Sequence, residues 1–526
     1  MAGVVEQHSI DVVPDDERHG SAVSQFTLWL GANLQITAVV TGALAVVFGA
    51  NAFWSLIGLL LGNLLGGAVM ALHSAQGPRL GLPQMITSRA QFGVRGAAVP
   101  LALVIVMYIG FFASGSVLAG QAVGELTHLG ETPGIVVFAA ATAVAAAVGY
   151  RLIHILGRIA ALVCALAFLY LGIRLLHRAD LGTLLADHRF ALPVFLLAVS
   201  LAASWQLAFG PYVADYSRYL PRHTSARATF GWTLAGSVLG SQWSMSFGAL
   251  AAAAAPTAFV GHEVGYVVGL GGGGLIASFL FFVIALGKLT INVLNTYGGF
   301  MSLVTSVSGF RGPGTPPAEG RGSTLSPRGR STYIAGIMVV GTAVALLGKD
   351  SFLTSFKDFL LFLLTFFTPW SAINLVDYYL LSKERYDVPA LSDPTGRYGA
   401  WNVRALTVYA VGVLAQLPFL ASAFYTGPLV ARLGGADISW LVGLAVPAVL
   451  YWLTARRDTA RLLPAPTADR NHHTDPDHHT DQDHDADPDH HTDQDRDADP
   501  DQHADQADQA ADQASRGEER PAGLGG

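Results

Sequence analysis

Long apolar stretches separated by short polar connectors make up most of this 526-residue chain. A helix needs about 20 mostly apolar residues to cross the hydrocarbon core of a bilayer. The pattern therefore predicts an all-α polytopic membrane protein with about 12 transmembrane helices, which form one domain over residues 26–454. The predicted spans lie near residues 26–49, 52–73, 97–122, 133–149, 152–173, 191–214, 230–254, 274–306, 332–348, 354–381, 403–424 and 437–454.

The sixth predicted span contains the strongest interruption of this pattern. Trp205 and Gln206 place an aromatic ring and an amide well inside the apolar stretch, and Gly210 and Pro211 follow closely. Proline has no backbone N–H and clashes with the preceding turn, so the helix is expected to break or kink there. A broken helix with polar side chains at mid-membrane depth is typical of a transporter binding site. The alternative is a proline-kinked structural helix with a packed tryptophan.

The first predicted span shares this feature with the sixth. Gly31, Asn33 and Gln35 lie early in an otherwise apolar segment. Glycine weakens a helix, and amide side chains can replace missing backbone partners. Because spans one and six each open a run of five spans, we expect an inverted five-plus-five repeat with two extra C-terminal helices. Without the sixth span, Asn33 and Gln35 would be interpreted as polar residues that pack between helices.

Span three combines large aromatic residues with small ones. Tyr108 and Phe112 are followed by the sequence Ala-Ser-Gly-Ser at residues 113–116. Aromatic rings beside small residues can form a flat slot for a planar ligand. Close packing between helices explains the same pattern equally well.

Span eight carries a lysine and several hydrogen-bonding side chains inside an apolar stretch. A lysine at bilayer depth is costly and indicates function by default, and Lys288 is such a residue. Asn292 and Asn295 share one helix face with Lys288 by their three- and four-residue spacing, and Thr290 and Thr296 lie nearby. The alternative is a purely structural role as polar contacts between helices.

Basic residues in the connectors indicate the orientation of the chain. Loops rich in lysine and arginine stay on the cytoplasmic side. The odd connectors at Gly49–Phe53, Thr127–Gly134 and Pro256–Gly265 contain neither residue, whereas every even connector is basic. The bias places both termini in the cytoplasm, although three arginines after span five oppose it: Arg174, Arg178 and Arg189. The basic residues of the even connectors are Arg79, Arg89, Arg95, Arg151, Arg158, Arg218, Arg222, Arg227, Arg311, Arg321, Arg328, Arg330, Lys383, Arg385, Arg397 and Arg404.

Composition supports a membrane protein with polar ends. The chain is 52% hydrophobic and 13% charged, whereas soluble domains carry about 25% charged residues. Residues 1–25 form a polar N-terminal segment without a secretory signal. The single cysteine, Cys164, excludes an intrachain disulfide. We find no phosphate-binding loop, no clustered Cys and His ligands in the membrane body and no paired membrane carboxylates, so we expect neither an enzyme, a cofactor, a nucleic-acid partner nor an obligate protein partner. The segment Gly77–Gly81 is interpreted as a turn.

The C-terminal segment, residues 455–526, differs sharply from the rest. HHTDQDHDADPD at residues 478–489 recurs as HHTDQDRDADPD at residues 490–501. Such a tract has almost no apolar surface to bury, so we expect a disordered cytoplasmic tail. Residues 464–526 carry 18 acidic and 4 basic side chains, whereas the net charge of the whole chain is −7; the membrane body is therefore positively charged. Loose binding of divalent metal by the His-Asp repeats is the less favoured alternative to a solvated tail.

Three sequence motifs together resemble those of the purine–cytosine permeases, which belong to the nucleobase–cation symporters of LeuT-like fold. The motifs are the connector GPRLGLPQMITSRAQFG at residues 77–93 with Gly96, the segment DYSRYLP at residues 215–221, and DYYLL at residues 377–381 with Tyr386-Asp-Val. The resemblance covers about residues 25–453. It implies a transporter that works by alternating access around a site at mid-membrane depth.

The resemblance also implies roles for single residues. It assigns Trp205 to stacking on a nucleobase, and Tyr108 or Phe112 to the opposite face. It assigns the polar edge of the ring to amide side chains, for which Gln35, Asn292 and Asn295 are the matching residues; Asn33 and Gln206 complete the predicted substrate site. In sodium-coupled relatives, helix-one carbonyls and a helix-eight hydroxyl hold the ion, which corresponds here to Gly31, Leu34 and Thr290.

Two departures from that pattern bear on the coupling ion. Thr290 is followed by Ile291 where some relatives have a second hydroxyl, and Lys288 lies close by. A fixed ammonium can take the electrostatic place of a bound cation, and a buried amine could release and regain a proton in a transport cycle. We therefore expect proton rather than sodium coupling. The alternative for Lys288 is a side chain that snorkels or pairs with a distant carboxylate.

Together these features predict an importer of nucleobases, cytosine or purines, in the cell membrane, driven by symport with a proton or else with sodium. A carrier of allantoin, hydantoin or related ureides, or of pyridine vitamins, is the alternative within transporters. A membrane receptor, or a scaffold whose tail recruits partners, is the alternative of another class.

Overall fold

The structure is a computed structural model and describes residues 11–148, 150–310, 327–422 and 425–458. The predictions for the tail beyond residue 458 and for Arg311 and Arg321 lie outside the described residues. The α-helices are α1 (Val23–Asn33), α2 (Ile36–Val47), α3 (Ala52–Ser74), α4 (Gly77–Leu80), α5 (Gln84–Phe92), α6 (Ala98–Thr127), α7 (Glu131–Val148), α8 (Tyr150–Arg178), α9 (Leu181–Leu185), α10 (Leu192–Leu207), α11 (Ala214–Ser217), α12 (Ala226–Ala254), α13 (Pro256–Phe259), α14 (Glu263–Gly271), α15 (Leu275–Ser308), α16 (Pro327–Gly348), α17 (Phe352–Leu375), α18 (Val403–Gln416) and α19 (Ser439–Ala455). A π-helix at Val376–Leu381 extends α17, and 3₁₀ turns lie at Lys349–Ser351, Pro389–Ser392, Leu417–Phe419 and Ala431–Leu433.

Each of the twelve predicted apolar segments contains a helix, so the all-α polytopic prediction is confirmed. By length and composition alone, four helical stretches of the described residues can cross a membrane: Ala52–Leu80, Ala98–Thr127, Leu275–Ser308 and Ser331–Leu381. A fifth crossing is reached when the bent pair α1 and α2 counts as one span. The number of membrane crossings, twelve, stays a prediction.

Reciprocal packing relates the two halves of the fold. The first span, α1 with α2, packs along α12, which is the seventh span, whereas α10, the sixth span, packs along α3, which is the second. Both contacts bring backbones close together. A Cβ on Gly248 of α12 would lie 1.7 Å from Val39 O, and a Cβ on Gly62 of α3 would lie 2.2 Å from Val199 O. The reciprocity agrees with the expected five-plus-five repeat.

Both predicted helix breaks are present. Helices α1 and α2 meet at an angle of 63° across Leu34 and Gln35, and Gln35 has the extended φ and ψ of −148° and 155°. Helix α10 ends at Leu207, and helical structure resumes only at Ala214 of α11, after Gly210 and Pro211. The polar and glycine-proline signals in the sequence therefore located the two breaks correctly.

Two connectors differ from the sequence prediction. The segment Gly77–Gly81, interpreted as a turn, forms the one-turn helix α4 and ends at Gly81 with φ of +64°. The connector Pro256–Gly265 holds α13 and the start of α14. Arg174 and Arg178 of α8 donate to the carbonyl oxygens of Leu270 and Gly269 in the last turn of α14. These two arginines opposed the charge bias because they cap a helix C-terminus.

The three sequence motifs meet in one buried hydrogen-bond network beside α5. The backbone N–H of Gln84 donates to Asp215 Oδ1 at 2.8 Å. Gln91 Nε2 donates to Asp377 Oδ2 at 3.2 Å and to the hydroxyl of Tyr386 at 2.6 Å. The connector between α3 and α6 thus ties α11, the end of the sixth span, to the end of the tenth span.

Arg89 of the same connector is buried and makes polar contacts to two segments that are distant along the chain. Its guanidinium donates to Leu391 O, Thr305 O and Ser308 Oγ. Burial lowers the pKa of Arg89 to about 10, which leaves the group charged at neutral pH. Arg89 therefore fixes the connector against α15 and the segment after α17.

Candidate substrate and cation site

Trp205 joins the two helix breaks at the centre of the fold. Its side chain is 2% exposed, and its Nε1 donates a hydrogen bond of 2.6 Å to Oδ1 of Asn33. Trp205 lies in the last turn of α10, and Asn33 is the last residue of α1. The predicted stacking residue therefore lies at the place where both interrupted spans meet.

Aromatic side chains from α6 and from the α10 break surround Trp205. The rings of Phe111 and Phe209 lie 5.8 Å and 5.7 Å from Trp205 between centroids, both nearly perpendicular to it. The ring centroid of Tyr212 lies 5.9 Å from that of Phe209 and 5.6 Å from that of Tyr108 on α6. In this conformation the rings contact one another, so a planar ligand can enter only if they move apart.

The two candidates predicted on α6 take different positions. Tyr108 lies across Gly298 of α15, since a Cβ there would be 2.3 Å from Tyr108 Cζ. Phe112 packs against Gly341 of α16, where a Cβ would be 2.4 Å from Phe112 Cδ1. Tyr108 therefore lies with the aromatic cluster, whereas Phe112 faces α16. The side chain of α6 in contact with Trp205 is Phe111.

Asn33 and Gln206 are both saturated by protein partners. Asn33 Oδ1 accepts from Trp205 and from Ser241 Oγ at 2.7 Å, and its Nδ2 donates to Trp29 O and to Ser237 Oγ. Gln206 Nε2 donates to Asn63 Oδ1 and Ser241 Oγ, and its Oε1 accepts from Ser237 Oγ. In this conformation the two amides hold both breaks against α12 and offer no unused group to a ligand.

Gln35 and Lys288 bind each other at the first break. Lys288 Nζ donates to Gln35 Oε1 at 3.1 Å and to Thr37 Oγ1 at 2.8 Å. Gln35 Nε2 donates to Ala32 O at 2.8 Å, across the break. The ammonium of α15 is thus held by oxygen atoms of Gln35 and of the first turn of α2.

Lys288 has no carboxylate partner among the described residues. Its side chain is 3% exposed, and both of its hydrogen bonds go to neutral oxygen atoms. The thiol of Cys164 on α8 lies beside Gly287, the residue before Lys288, because a Cβ on Gly287 would be 2.6 Å from its Sγ. The prediction of a lysine paired with a distant carboxylate has no counterpart in these ranges.

Asn292 and Asn295 each leave a buried polar atom unpaired among the described residues. Asn292 Nδ2 donates to Phe112 O and to Ser116 Oγ, both at 3.0 Å, so its Oδ1 faces the other way without a donor. Asn295 Nδ2 has no acceptor, and the residue is 8% exposed. Buried polar groups are normally paired, so these two atoms are part of the unused hydrogen-bonding capacity of the site.

The predicted sodium ligands Gly31, Leu34 and Thr290 form hydrogen bonds within their own spans in this conformation. Thr290 Oγ1 donates to Gly287 O of its own helix at 2.8 Å. Gly31 O accepts from the N–H of Leu34, which closes the last turn of α1. Within the described residues no group of three or more His, Cys, Asp or Glu side chains could hold a metal ion.

The arrangement combines aromatic walls with a polar side formed by Gln35, Lys288 and α15. Aromatic faces bind a planar ring without regard to its substituents, whereas amide groups distinguish its polar edge. Sequence reasoning missed Phe111, Tyr212 and Thr37. The aromatic residues of Phe111-Phe112 and Gly-Pro-Tyr212 were visible in the sequence, but which ring faces Trp205 depends on the rotation of α6.

Comparisons with known proteins assign most of the chain to one family. Residues 12–443 match the model of a family described as permeases for cytosine/purines, uracil, thiamine and allantoin. The protein YxlA of Bacillus subtilis (strain 168), whose name assigns it to the purine-cytosine permeases, is 40% identical over 450 residues, which are 85% of this chain and 95% of YxlA. The purine-cytosine permease fcyB of Emericella nidulans is 24% identical over 473 residues, 85% of this chain and 87% of fcyB.

Solved structures give the same fold. Mhp1, a nucleobase-cation-symport-1 family transporter, was solved closed with bromovinylhydantoin bound; it aligns with a TM-score of 0.66 and 19% identity over 86% of this chain and 96% of Mhp1. The inward-facing conformation of Mhp1 aligns with a TM-score of 0.68 over 88% of this chain and 99% of Mhp1. The fold is therefore the LeuT-like fold of that transporter.

The match over most of the chain and the identity to YxlA make the protein a multi-pass membrane transporter and not an enzyme. The family description names small organic molecules, nucleobases among them, as substrates of its members. The chain belongs to the family of permeases for cytosine/purines, uracil, thiamine and allantoin.

Proposed function

We propose that the protein imports cytosine or purine nucleobases across the cell membrane by symport with a proton. The observation that carries the proton assignment is Lys288, whose buried ammonium binds Gln35 and Thr37 at the first helix break. In sodium-coupled relatives the resemblance places an ion near that break. An ammonium already bound there supplies a positive charge without sodium, and a lysine can lose and regain its proton.

The binding step follows from the aromatic cluster. We infer that Trp205 stacks on one face of the base and Tyr108 on the other, after the rings of the cluster separate. The ring of Phe111 lies beside Trp205 and nearly perpendicular to it. Gln35 and the unpaired Nδ2 of Asn295 then read the polar edge of the base. A base that leaves these buried groups unpaired loses about 1–3 kcal/mol for each of them.

Both termini and the basic even connectors lie in the cytoplasm in this proposal. The base would enter from outside, and the network of α5 with Asp215 and Asp377 would lie on the cytoplasmic side of the site. Import then requires this end of the protein to open while the opposite end closes, as in the rocking of one repeat against the other.

Uptake by cells that express the protein tests the proposal. The labelled panel contains cytosine, hypoxanthine, adenine and uracil, together with allantoin and a hydantoin. We expect saturable uptake of cytosine or a purine that rises at acid pH, persists when choline replaces sodium, and collapses with a protonophore. Uptake of ureides alone, or strict dependence on sodium in both the parent and Lys288→Ala, would contradict the proposal.

A further inference from the structure

Lys288 and Asn292 converge on Gly115, one of the positions of α6 that have no side chain. A Cβ on Gly115 would lie 2.3 Å from Asn292 Oδ1 and 3.1 Å from Lys288 Nζ. Asn292 lies one helical turn after Lys288, so both side chains project from the same face of α15. The ammonium and the amide oxygen therefore border the same small space beside Gly115.

The hydrogen-bonding capacities of the two groups complement each other. An ammonium has three N–H donors, of which Lys288 uses two, for Gln35 Oε1 and Thr37 Oγ1. The Nδ2 of Asn292 is committed to Phe112 O and Ser116 Oγ, which fixes the orientation of the amide. Its Oδ1 is a buried acceptor without a donor among the described residues. An unused donor and an unused acceptor thus lie side by side.

The two sets of acceptors belong to different parts of the fold. Gln35 and Thr37 move with α2, which packs along α12, whereas Asn292 belongs to α15, which packs along α6. Transporters with inverted repeats work by movement of one such part against the other. The hydrogen bonds of Lys288 to Gln35 and Thr37 therefore cross a boundary that must move during transport, whereas a bond to Asn292 would not.

We propose that Asn292 is a positioning residue, whose Oδ1 receives the Lys288 ammonium when the substrate takes over Oε1 of Gln35. The proposal deepens the proposed function and rests on it for the role of Gln35. In this structure the ammonium occupies Gln35 Oε1 and so competes with any ring N–H for that oxygen. Transfer of the ammonium to Asn292 releases Gln35 without leaving the buried charge unpaired. The flexible four-carbon stem of lysine makes this short movement possible.

The proposal predicts that substitution of Asn292 on α15 and substitution of Thr37 on α2 have opposite effects on substrate binding. Asn292→Ala removes the second acceptor, holds the ammonium on Gln35, and weakens binding about threefold to tenfold. Thr37→Val is isosteric and removes one acceptor on the first side, so the ammonium shifts towards Asn292 and binding tightens about twofold to fivefold. Thr41→Val is the matched control, because the Thr41 hydroxyl donates only to Thr37 O of its own helix.

The experiment measures equilibrium binding of a labelled ligand to the purified full-length protein. The ligand is whichever of cytosine, hypoxanthine, uracil, allantoin and a hydantoin the parent binds. Each variant is made in the parent and in Lys288→Met, and thermal unfolding is recorded for each. In Lys288→Met we expect the effects of Asn292→Ala and Thr37→Val to fall below twofold, since the ammonium that links them is absent.

Each outcome of the binding experiment either supports or overturns the proposed role of Asn292. Equal loss of affinity from Asn292→Ala with and without Lys288 would make Asn292 a direct ligand of the substrate and overturn the inference. Loss of affinity in Thr37→Val, equal to that in Thr41→Val, would also overturn it. Binding of a ureide but no nucleobase, with the opposite effects preserved, would support the inference while refuting the proposed nucleobase function. No binding of any panel member by the parent would overturn both.

Discussion

Replacement of Trp205 separates stacking on the substrate from packing in the core. Stacking of a base on an aromatic side chain is worth about 1–3 kcal/mol, which is about fivefold to 150-fold in affinity. Trp205→Ala should lose this contribution, and removal of a buried tryptophan side chain should also cost about 3–5 kcal/mol of folding free energy. Trp205→Phe keeps an aromatic face and loses the 2.6 Å hydrogen bond to Asn33, worth about 1 kcal/mol. Asn33 Oδ1 keeps its bond from Ser241 in that variant.

Trp440 provides the matched control for this experiment. It is a buried tryptophan that packs with Val199, Ala203 and Leu207 on another face of α10. Trp440→Ala should therefore lower the melting temperature in the same way as Trp205→Ala but leave ligand affinity within about twofold, because it lies outside the aromatic cluster. The assay combines equilibrium binding of labelled base with thermal unfolding of the purified variants. Unchanged affinity in Trp205→Ala, or equal loss in Trp440→Ala, would refute the stacking role.

Three further predictions concern the polar groups and the tail. Gln35→Ala and Asn295→Ala should each weaken binding by about 1–3 kcal/mol, unequally among cytosine, hypoxanthine and uracil, since each leaves different ring atoms unpaired; competition binding with the three bases measures this, and a uniform small loss would mean that the residues only pack. Asp377→Asn should lower stability by roughly 2–4 kcal/mol, because its carboxylate accepts from Gln91, Tyr386 and Tyr451. Thermal unfolding measures the change, and an equal change in Asp393→Asn, whose carboxylate accepts from the nearby Thr395, would contradict the prediction. Deletion of residues 464–526 should leave the uptake rate per molecule at the cell surface unchanged, and loss of uptake at normal surface expression would make the tail regulatory.

The sequence was sufficient to predict the two helix breaks. Gly210 and Pro211 remove the backbone geometry and the donor that a continuous helix needs, so the break after Leu207 follows from local chemistry alone. Lys288 was likewise predictable as a functional candidate, because an isolated charge in a long apolar stretch requires a reason.

The partners of those groups could not be predicted in the same way. Asn33 and Gln206 were expected to bind substrate, but they bind Ser237 and Ser241 of α12, which lie about 30 to 200 residues away along the chain. Helical periodicity gives the face of one helix and says nothing about which helix lies opposite. The contact of Phe111 with Trp205 was missed for the same reason: the sequence pointed to Tyr108 or Phe112, and adjacent residues point about 100° apart on a helix.

Uptake driven by an imposed proton gradient tests the central claim most directly. Purified protein is reconstituted into sodium-free liposomes, and labelled cytosine or hypoxanthine is supplied outside. We predict accumulation of the base above its external concentration when the outside is acidic, loss of accumulation but not of binding in Lys288→Met, and no added drive from an inward sodium gradient. Accumulation that requires sodium and proceeds equally in Lys288→Met would contradict the account.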